Sequence, residues 1–510
     1  MRGLPVSWTF AELQEVTTIG PRFDSEDAQD EQLVHFVPMA AASEEFKGLD
    51  VSQLRPLGGV RKGYTFFEAN DVLFAKITPC MENGKGGLVP YLPERFAFGS
   101  TEFHVLRPNA AIMPRWLAYF LSQAEFRKAA RHNMTGTAGQ LRVPTKWMGA
   151  VNLPIPPLPE QTRIVAKLEE LLSDLDAGVA ELKAAQKKLV QYRQSLLKAA
   201  VEGALTARWR AQNTPAETGA QLLERILAER RARWETQQLA RFKEQGKTPP
   251  KDWQKKYPEP VKPETSGLPE LPQGWVWATI DQLAQVGTGV TPLRSKPAYF
   301  EGGNIPWTTS GALNDELVTS AAEHVTQLAL DECRLEIYPA GSLLVAMYGE
   351  GKTRGKCAEL AFPSTINQAI AAIVFETAAT TLRPHVKMVL LNAYEAMRKQ
   401  ASGGVQPNLN LQIIKVFLVP LPPPEEQTEI VATLETALTA VKEQQAAIDH
   451  GLRQSAAQRQ NILRAAFSGQ LVPQNPGDEP ASALLERIRA ERAAREPAKK
   501  ARGRKIKEPA

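Results

Sequence analysis

Two stretches of the chain carry apolar residues on seams long enough to stand apart from the rest. In the first, Ile164, Leu168, Leu171, Leu175, Leu182, Leu189, Tyr192 and Leu196 recur on alternating steps of four and three. That is the heptad spacing of a helix facing a partner helix. Gly178 interrupts the seam once, and nothing else breaks the helical pattern between 159 and about 205. The second stretch, from about 425 to 468, carries Val431, Leu434, Leu438, Val441, Ile448, Leu452 and Ile462, with polar Gln445 and Ser455 inside its weaker seam. Each follows a proline-rich run, and proline suits a helix's first turn but not its interior. A helix of about 44 residues would be about 66 Å long. Each helix could pack on its own globular domain, or the two on each other; heptads sustained twice favour the second arrangement.

The other patterns are shorter. Segments 1–153 and 271–419 hold β-branched and aromatic runs punctuated by Gly, Pro and Asn, such as Asp71-Val-Leu-Phe-Ala75 and Ser342-Leu-Leu-Val-Ala346. These predict mixed α/β domains, with a helix over 115–131 in the first and a counterpart over 386–400 in the second. The apolar run 368–375 is too short to span a bilayer and reads as a buried strand. Segments 221–244 and 482–496 have helical character, few apolar residues and many arginines. They are either solvated faces or docking helices for a partner. The basic end, 499–507, is expected to be disordered.

These elements occur twice. Leu153-Pro-Ile-Pro-Pro-Leu-Pro-Glu-Gln-Thr162 aligns with Val419-Pro-Leu-Pro-Pro-Pro-Glu-Glu-Gln-Thr428, and the same offset continues through Ile164/Ile430, Leu168/Leu434, Leu197/Leu463 and Gly203/Gly469. Leu222-Leu-Glu-Arg-Ile226 returns as Leu484-Leu-Glu-Arg-Ile488, and Pro5-Val-Ser-Trp8 as Pro272-Gln-Gly-Trp275. A unit of about 265 residues used twice is too long for a solenoid; it is a duplicated domain-plus-helix. The globular segments share little sequence away from their ends. Two such helices paired antiparallel would relate the two domains by a rough two-fold axis. Two unlike DNA-reading domains held that way would read two different half-sites, spaced by the helices.

Composition narrows the chemistry. The 510 residues are 43% hydrophobic and 23% charged, which suits a soluble globular chain of about three domains. The formal charge of +5 permits a nucleic-acid partner without demanding one. Residues 481–510 hold ten Lys/Arg against four Asp/Glu, so the remainder is near neutral. Cys80, Cys333 and Cys357 form no CxxC pair, which argues against a disulfide framework or a cysteine zinc site and fits a reducing cytoplasm. No signal peptide or membrane span is visible, and the six histidines show no paired metal-ligand spacing.

Two motifs point elsewhere and are weak. Ala346-Met-Tyr-Gly-Glu-Gly-Lys-Thr353 satisfies a loose phosphate-loop pattern, but Gly355 falls where a helix should be established. A backbone or groove contact to DNA suits this loop better than a nucleotide. Asn304-Ile-Pro-Trp307 only faintly resembles an amino-methyltransferase motif and reads as a strand end. Glu425 and Glu426 suit a helix N-terminus, where the dipole favours negative charge.

The globular–helix–globular–helix order, with Pro-Leu-Pro-Pro-Pro-Glu-Glu-Gln at 420–427, resembles the specificity subunits of type I restriction–modification systems. Asp71-Val-Leu-Phe-Ala-Lys-Ile-Thr78, Asn304-Ile-Pro-Trp307, Asn367-Gln-Ala-Ile370 and Gly404-Val-Gln-Pro-Asn-Leu-Asn410 are further points of likeness. The resemblance covers nearly the whole chain. It implies target-recognition domains at 1–158 and 271–424, spacer helices at 159–205 and 425–470, an Arg-rich linker at 206–270, and a C-terminal helix with a basic tail at 471–510. The fold class is then mixed α/β, with two long helices as an antiparallel coiled coil. The implied function is recognition of a bipartite asymmetric DNA target, without catalysis by this chain. Partners would be double-stranded DNA, two methyltransferase subunits and restriction/translocase subunits. No cofactor is expected on this chain; S-adenosylmethionine, ATP and Mg would serve those partners. A coiled-coil structural protein and a P-loop nucleotide hydrolase are the competing readings.

Base reading needs bidentate Arg, Lys, Asn or Gln, and phosphates take Lys, Arg, Ser, Thr or backbone N–H. The polar loops of the first domain offer Lys76, Thr78, Asn83 and Lys85, then Thr135, Thr137, Gln140 and Arg142. Those of the second offer Tyr348, Lys352, Thr353, Arg354, Lys356, Gln368, Gln406, Asn408 and Asn410. Each alone could equally be a turn-stabilising or solvated residue, and Asn408 and Asn410 in particular suit turns.

Overall fold

A computed structural model describes residues 3–24, 28–137, 139–349, 353–402 and 408–495. The chain divides into two compact units, one of Met1–Lys183 with Asp449–Ala510, the other of Ala184–Ile448. The division falls inside both long helices, Leu158–Val201 and Pro424–Phe467, each of 44 residues. Both helices end on the same device. Gly203 and Gly469 take φ +72°, and the amides of Ala204 and Gln470 reach back to the carbonyls of Ala199 and Ala465. A left-handed glycine of this kind caps orphan carbonyls without a Cβ penalty.

In the first unit, the sheet Thr17–Ile19, Phe103–Pro108, Val72–Ala75, Gly86–Leu88 carries the main core. Beside it lies a second sheet, ordered Leu54–Pro56, Leu33–Val37, Phe96–Gly99, Thr65–Glu68. An antiparallel ribbon of Thr9–Glu12 with Asn152–Ile155 brings the start of the domain to its exit. In the second unit the main sheet runs Gln285–Thr288, Ile370–Val374, Leu343–Ala346, Cys357–Leu360, Leu317–Val318. A three-stranded sheet and the ribbon Val276–Thr279 with Leu418–Leu421 complete it. The run 368–375 is a strand from Ile370 whose first four residues are buried, and Asn304–Trp307 leads into the strand Ile305–Thr308.

The helix expected over 115–131 is two, Pro114–Ser122 and Ala124–His132, broken at Gln123 with ψ 141°. The break turns Phe126 into the core against Phe120, Phe74 and Trp147. Packing an aromatic outweighs one or two continued helical hydrogen bonds. Its counterpart is likewise split, into Arg383–Asn392 and Tyr394–Ser402.

The long helices pair antiparallel in each unit. In the first, Arg459 bonds Asp176 at 2.8 Å, and Gly451 leaves room for Leu182. In the second, Leu189 and Arg193 line one cavity with Leu438, Val441 and Gln445, while Thr206, just past the first helix, bonds Glu426 near the start of the second. The seam differs from the expected one in two places. Leu172 rather than Leu171 is fully buried, and Tyr192 is 53% exposed while Leu189 and Leu196 are buried. Continuing the four-three steps from Leu168 through Leu172 puts position 193, not 192, on the seam.

The Arg-rich helices, expected as solvated or partner-docking faces, pack their apolar residues on their own units. In the second unit, Gly219–Glu244 buries Leu222, Leu223 and Ile226 beside Ile280 and Leu283, and Arg233 pairs with Glu376. The chain then folds back, stacking Trp253 on Trp234 at 5.7 Å and tying Val261 to Asp281. In the first unit, Ala481–Arg495 buries Ala481 and Leu485, and Arg489 pairs with Glu15. The basic end 499–507 lies outside the described residues.

Candidate nucleic-acid interface

Each unit ends its main sheet in the same clasp of loops. In the first, the strand Val72–Ala75 delivers Lys76, whose amide donates to the Glu102 carbonyl and whose carbonyl accepts from Val143. In the second, Leu343–Ala346 delivers Met347, whose amide donates to the Ala369 carbonyl and whose carbonyl accepts from Leu409. Three segments distant in sequence are thereby fixed at one end of a central strand in each sheet, and the side chains they carry differ. A shared backbone frame with unlike polar side chains can present different hydrogen-bonding surfaces to a ligand.

The first cluster brings Lys76, Thr78, Thr137, Gln140 and Arg142 together. Thr78 donates through its amide to the Leu141 carbonyl and through its hydroxyl to Gly139 at 3.4 Å. Arg142, paired by backbone with Thr135, sets its guanidinium Nε and one terminal N–H on the Glu102 carboxylate at 2.8 to 3.2 Å. That bidentate fork holds the Glu102 carboxyl below its ordinary range. His104, tied to the Val143 carbonyl at 2.8 Å, is pushed down by burial. Thr137 and Gln140 are exposed. Asn83 and Lys85 stand on the next turn and point inward to the chain, Asn83 to Glu44 at 2.9 Å and Lys85 to the Met39 carbonyl at 3.4 Å.

The second cluster brings Tyr348, Thr353, Arg354, Lys356, Gln368, Asn408 and Asn410 together. Lys356 donates to Asn314 at 2.9 Å. Asn410 accepts from the Ile413 amide at 2.9 Å and so caps the helix Leu411–Lys415, a structural duty matching its turn-forming chemistry. Tyr348, Gln368 and Asn408 are exposed. Buried Arg354 Nε finds no hydrogen-bond partner among the described residues. Lys352 and Gln406 lie outside the described residues.

The phosphate-loop reading of 346–353 fails on geometry. The segment after it turns at Gly355 and enters the strand Cys357–Leu360, antiparallel to Leu343–Ala346. No helix N-terminus follows, so the dipole and the row of N–H groups that cradle phosphates are missing. Among the described residues, no three His, Cys, Asp or Glu side chains group closely enough to hold a metal ion. No helix among them is long and apolar enough to cross a membrane.

Residue-type reasoning missed Glu102 and Asn314, because it searches for groups that could touch a ligand and these two orient such groups. Arg142 and Glu102 are 40 positions apart, and only the pairing of strands and loops brings them together.

The repeated boundary motif acts inside each unit. Gln161 donates to the carbonyls of Ala111 and Pro156 and accepts from the Met113 amide, fastening the long helix to its domain. Gln427 donates to the Pro422 carbonyl. Glu426, fully buried, accepts from the Trp275 indole at 2.8 Å, from Thr206 at 2.7 Å and from Arg210. Its counterpart Glu160 accepts from Gln474 at 2.6 Å.

The family model described as "Type I restriction modification DNA specificity domain" matches residues 5–186 and 272–448, one match per repeat. Among curated proteins, the chain is similar to the type I restriction enzyme EcoAI specificity subunit of Escherichia coli, 26% identical over 489 residues, covering 85% of this chain and 77% of that one. It is similar to the EcoKI specificity subunit of Escherichia coli strain K12, 26% identical over 514 residues, with 96% and 97% covered. Among solved structures, it shares its fold with a chain from work on complex assembly and conformational transition of the type I R-M system. There the TM-score is 0.66 at 20% identity, with 92% of this chain and all of that one covered. The HsdS subunit from Thermoanaerobacter tengcongensis matches with a TM-score of 0.50 at 20% identity, covering 92% and 98%.

Proposed function

This chain belongs to the type I restriction–modification DNA specificity family, and from that premise we propose how it recognises its target and what it assembles with. The subunit supplies sequence recognition to a type I restriction–modification complex and leaves the covalent chemistry to other chains. Each unit would present one loop cluster to one half of a split DNA target. The observation that carries this reading is the clasp built twice: one backbone frame, two different sets of side chains.

In this reading the first half-site meets Lys76, Thr78, Thr137, Gln140 and Arg142, with Asn83 and Lys85 on the neighbouring turn. The second meets Tyr348, Lys352, Thr353, Arg354, Lys356, Gln368, Gln406 and Asn408, with Asn410 shaping the loop. Residues 1–158 and 271–424 act as target-recognition domains. Two methyltransferase subunits, and restriction subunits beyond them, bind the spacer helices. S-adenosylmethionine, ATP and Mg are used by those partners, in the cytoplasm.

The test is a methylome. The chain is expressed with its methyltransferase partner, and methylated adenines are mapped with and without it. A split motif of two short half-sites with a fixed gap, present only with the chain, is expected. No new motif from a folded, assembled complex would refute the assignment. Arg354→Ala should then weaken binding by about 1–3 kcal/mol and relax one base position if Arg354 reads a base edge; unchanged affinity and preference remove it from the interface.

A further inference from the structure

Beside the first loop cluster, the second sheet of the first unit carries a cationic and aromatic face that the recognition reading leaves unused. Phe36, on the strand Leu33–Val37, is nearly fully buried between two side chains. The Arg55 guanidinium lies 3.8 Å from its ring centre, and the Tyr64 ring meets it edge-on at 5.0 Å. Tyr64 is itself 40% exposed. It closes the exposed turn Arg61-Lys62-Gly63-Tyr64, in which Gly63 takes φ +86°. Arg61 leans toward Asp30 at 3.6 Å, whereas Arg55 and Lys62 have no carboxylate partner among the described residues. A guanidinium stacked flat on a ring keeps its N–H edge outward, preorganised as a phosphate fork.

Strand pairing places the Tyr64 end of this face next to the loop cluster. Thr65, the residue after Tyr64, pairs with Gly99, and the Ser100 amide donates to the Val37 carbonyl. Three residues beyond Gly99 is Glu102, the carboxylate that holds Arg142. Strands lie about 4.8 Å apart and an extended residue spans about 3.4 Å, so the Thr65 backbone, at the end of the turn, and the Glu102 backbone lie within about 15 Å. Along a duplex that is about four base-pair rises of 3.4 Å. Among the described residues of the second unit, the guanidiniums that lie over aromatic rings are each paired with a carboxylate: Arg210 with Glu426, Arg231 with Glu235, Arg294 with Glu323 and Arg398 with Glu395.

We propose that Arg55, Lys62 and Tyr64 extend the DNA interface of the first unit, Arg55 and Lys62 on backbone phosphates and Tyr64 against the groove edge. The proposal rests on the reading of the Lys76–Arg142 cluster as a DNA-binding surface. Continuity with that cluster and two cations without a carboxylate partner among the described residues favour duplex DNA over a protein partner.

The test uses the full chain assembled with its methyltransferase partner, a duplex carrying the methylome motif, and a scrambled duplex. For Arg55→Gln with Lys62→Gln, log–log plots of affinity against salt should flatten by about 2, near 0.9 per lost phosphate contact. Binding of both duplexes should weaken about tenfold at low salt, with the same motif still preferred. Tyr64→Ala should alter preference in one half-site only. These side chains are exposed or lie on the surface of the fold, and thermal melting of each variant checks that the assembly is intact. Lys62→Glu alone, on an assembly of unchanged melting temperature, should weaken binding more than Lys62→Gln alone. Unchanged salt slope and affinity in the double variant and in Lys62→Glu would overturn the proposal. Failure of the underlying reading looks different: the unmodified assembly would not distinguish the two duplexes at all.

Discussion

Replacing Glu426 by Ala should cost far more than the same change at Glu160, although the two hold the same position in the repeat. Glu426 is fully buried and accepts from Trp275, Thr206 and Arg210. Its removal strands a buried indole N–H and a buried hydroxyl, at about 1–3 kcal/mol each, and leaves a partly buried guanidinium uncompensated. Breaking a buried ion pair by deleting one partner costs about 3–5 kcal/mol. Glu160 is equally buried, but among the described residues its side-chain hydrogen bond is a single amide from Gln474, and Trp8 Nε1 has no partner among them. Deleting one charged hydrogen bond costs about 1.5–3 kcal/mol. The chain divides into two compact units, so a single melting temperature need not report on either one alone. Hydrogen exchange resolves it locally. The amides of 276–279 and 418–421 should exchange about 100-fold faster or more in Glu426→Ala, since 1.4 kcal/mol is a factor of ten. Those of 9–12 and 152–155 should change clearly less in Glu160→Ala. Equal acceleration in both variants would refute the claim that the Trp275–Glu426–Thr206–Arg210 set is what secures the second ribbon.

Three further outcomes are expected. His385 is buried, bonded to the Pro420 carbonyl at 2.8 Å, and its pKa is lowered to about 4 by burial. The unfolded imidazole takes its proton near 6.5 and the native one does not until about 4, so stability is full above pH 6.5 and falls by up to about 3 kcal/mol on the way to pH 4. His385→Gln should flatten urea midpoints across that window, and an unchanged pH profile would contradict it. Burial also pushes the Cys357 thiol up to about 12, whereas Cys80 and Cys333 are half-buried. A maleimide titration of the native chain at pH 7.5 should therefore label Cys80 and Cys333 first and Cys357 only on unfolding; early labelling of Cys357 would be the contrary result. Finally, Gly469→Ala would place a Cβ 2.3 Å from Pro5 Cγ at a φ of +72°. It should destabilise the first unit by at least about 1 kcal/mol, read as a lower denaturant midpoint.

Much was legible along the chain because periodicity and repetition are local properties. The heptads gave both long helices to within a few residues, and the offset between Leu153–Thr162 and Val419–Thr428 gave the duplication. The loops bearing candidate DNA contacts were legible as groups, because Gly-rich polar segments between strands are turns by composition alone. What those loops do individually was not. Asn410 caps a helix, Asn83 is bonded to Glu44, and Arg142 is locked on Glu102. Each of these depends on a partner that composition cannot nominate.

The sequence by itself determined the order of elements, their duplication and the heptad character of both long helices, since backbone propensity and the 3.5-residue period need only neighbours in the chain. The tertiary structure decided which residues share a surface. Lys76, Glu102 and Val143 meet through two backbone hydrogen bonds, and Met347, Ala369 and Leu409 meet the same way. It also decided that Tyr192 faces outward and that Gln123 breaks a helix. The physical reason is the same in each case. Burying an aromatic ring or satisfying a buried polar group is worth one to several kcal/mol, whereas local preferences differ by tenths, so long-range packing settles whatever the local pattern leaves nearly degenerate.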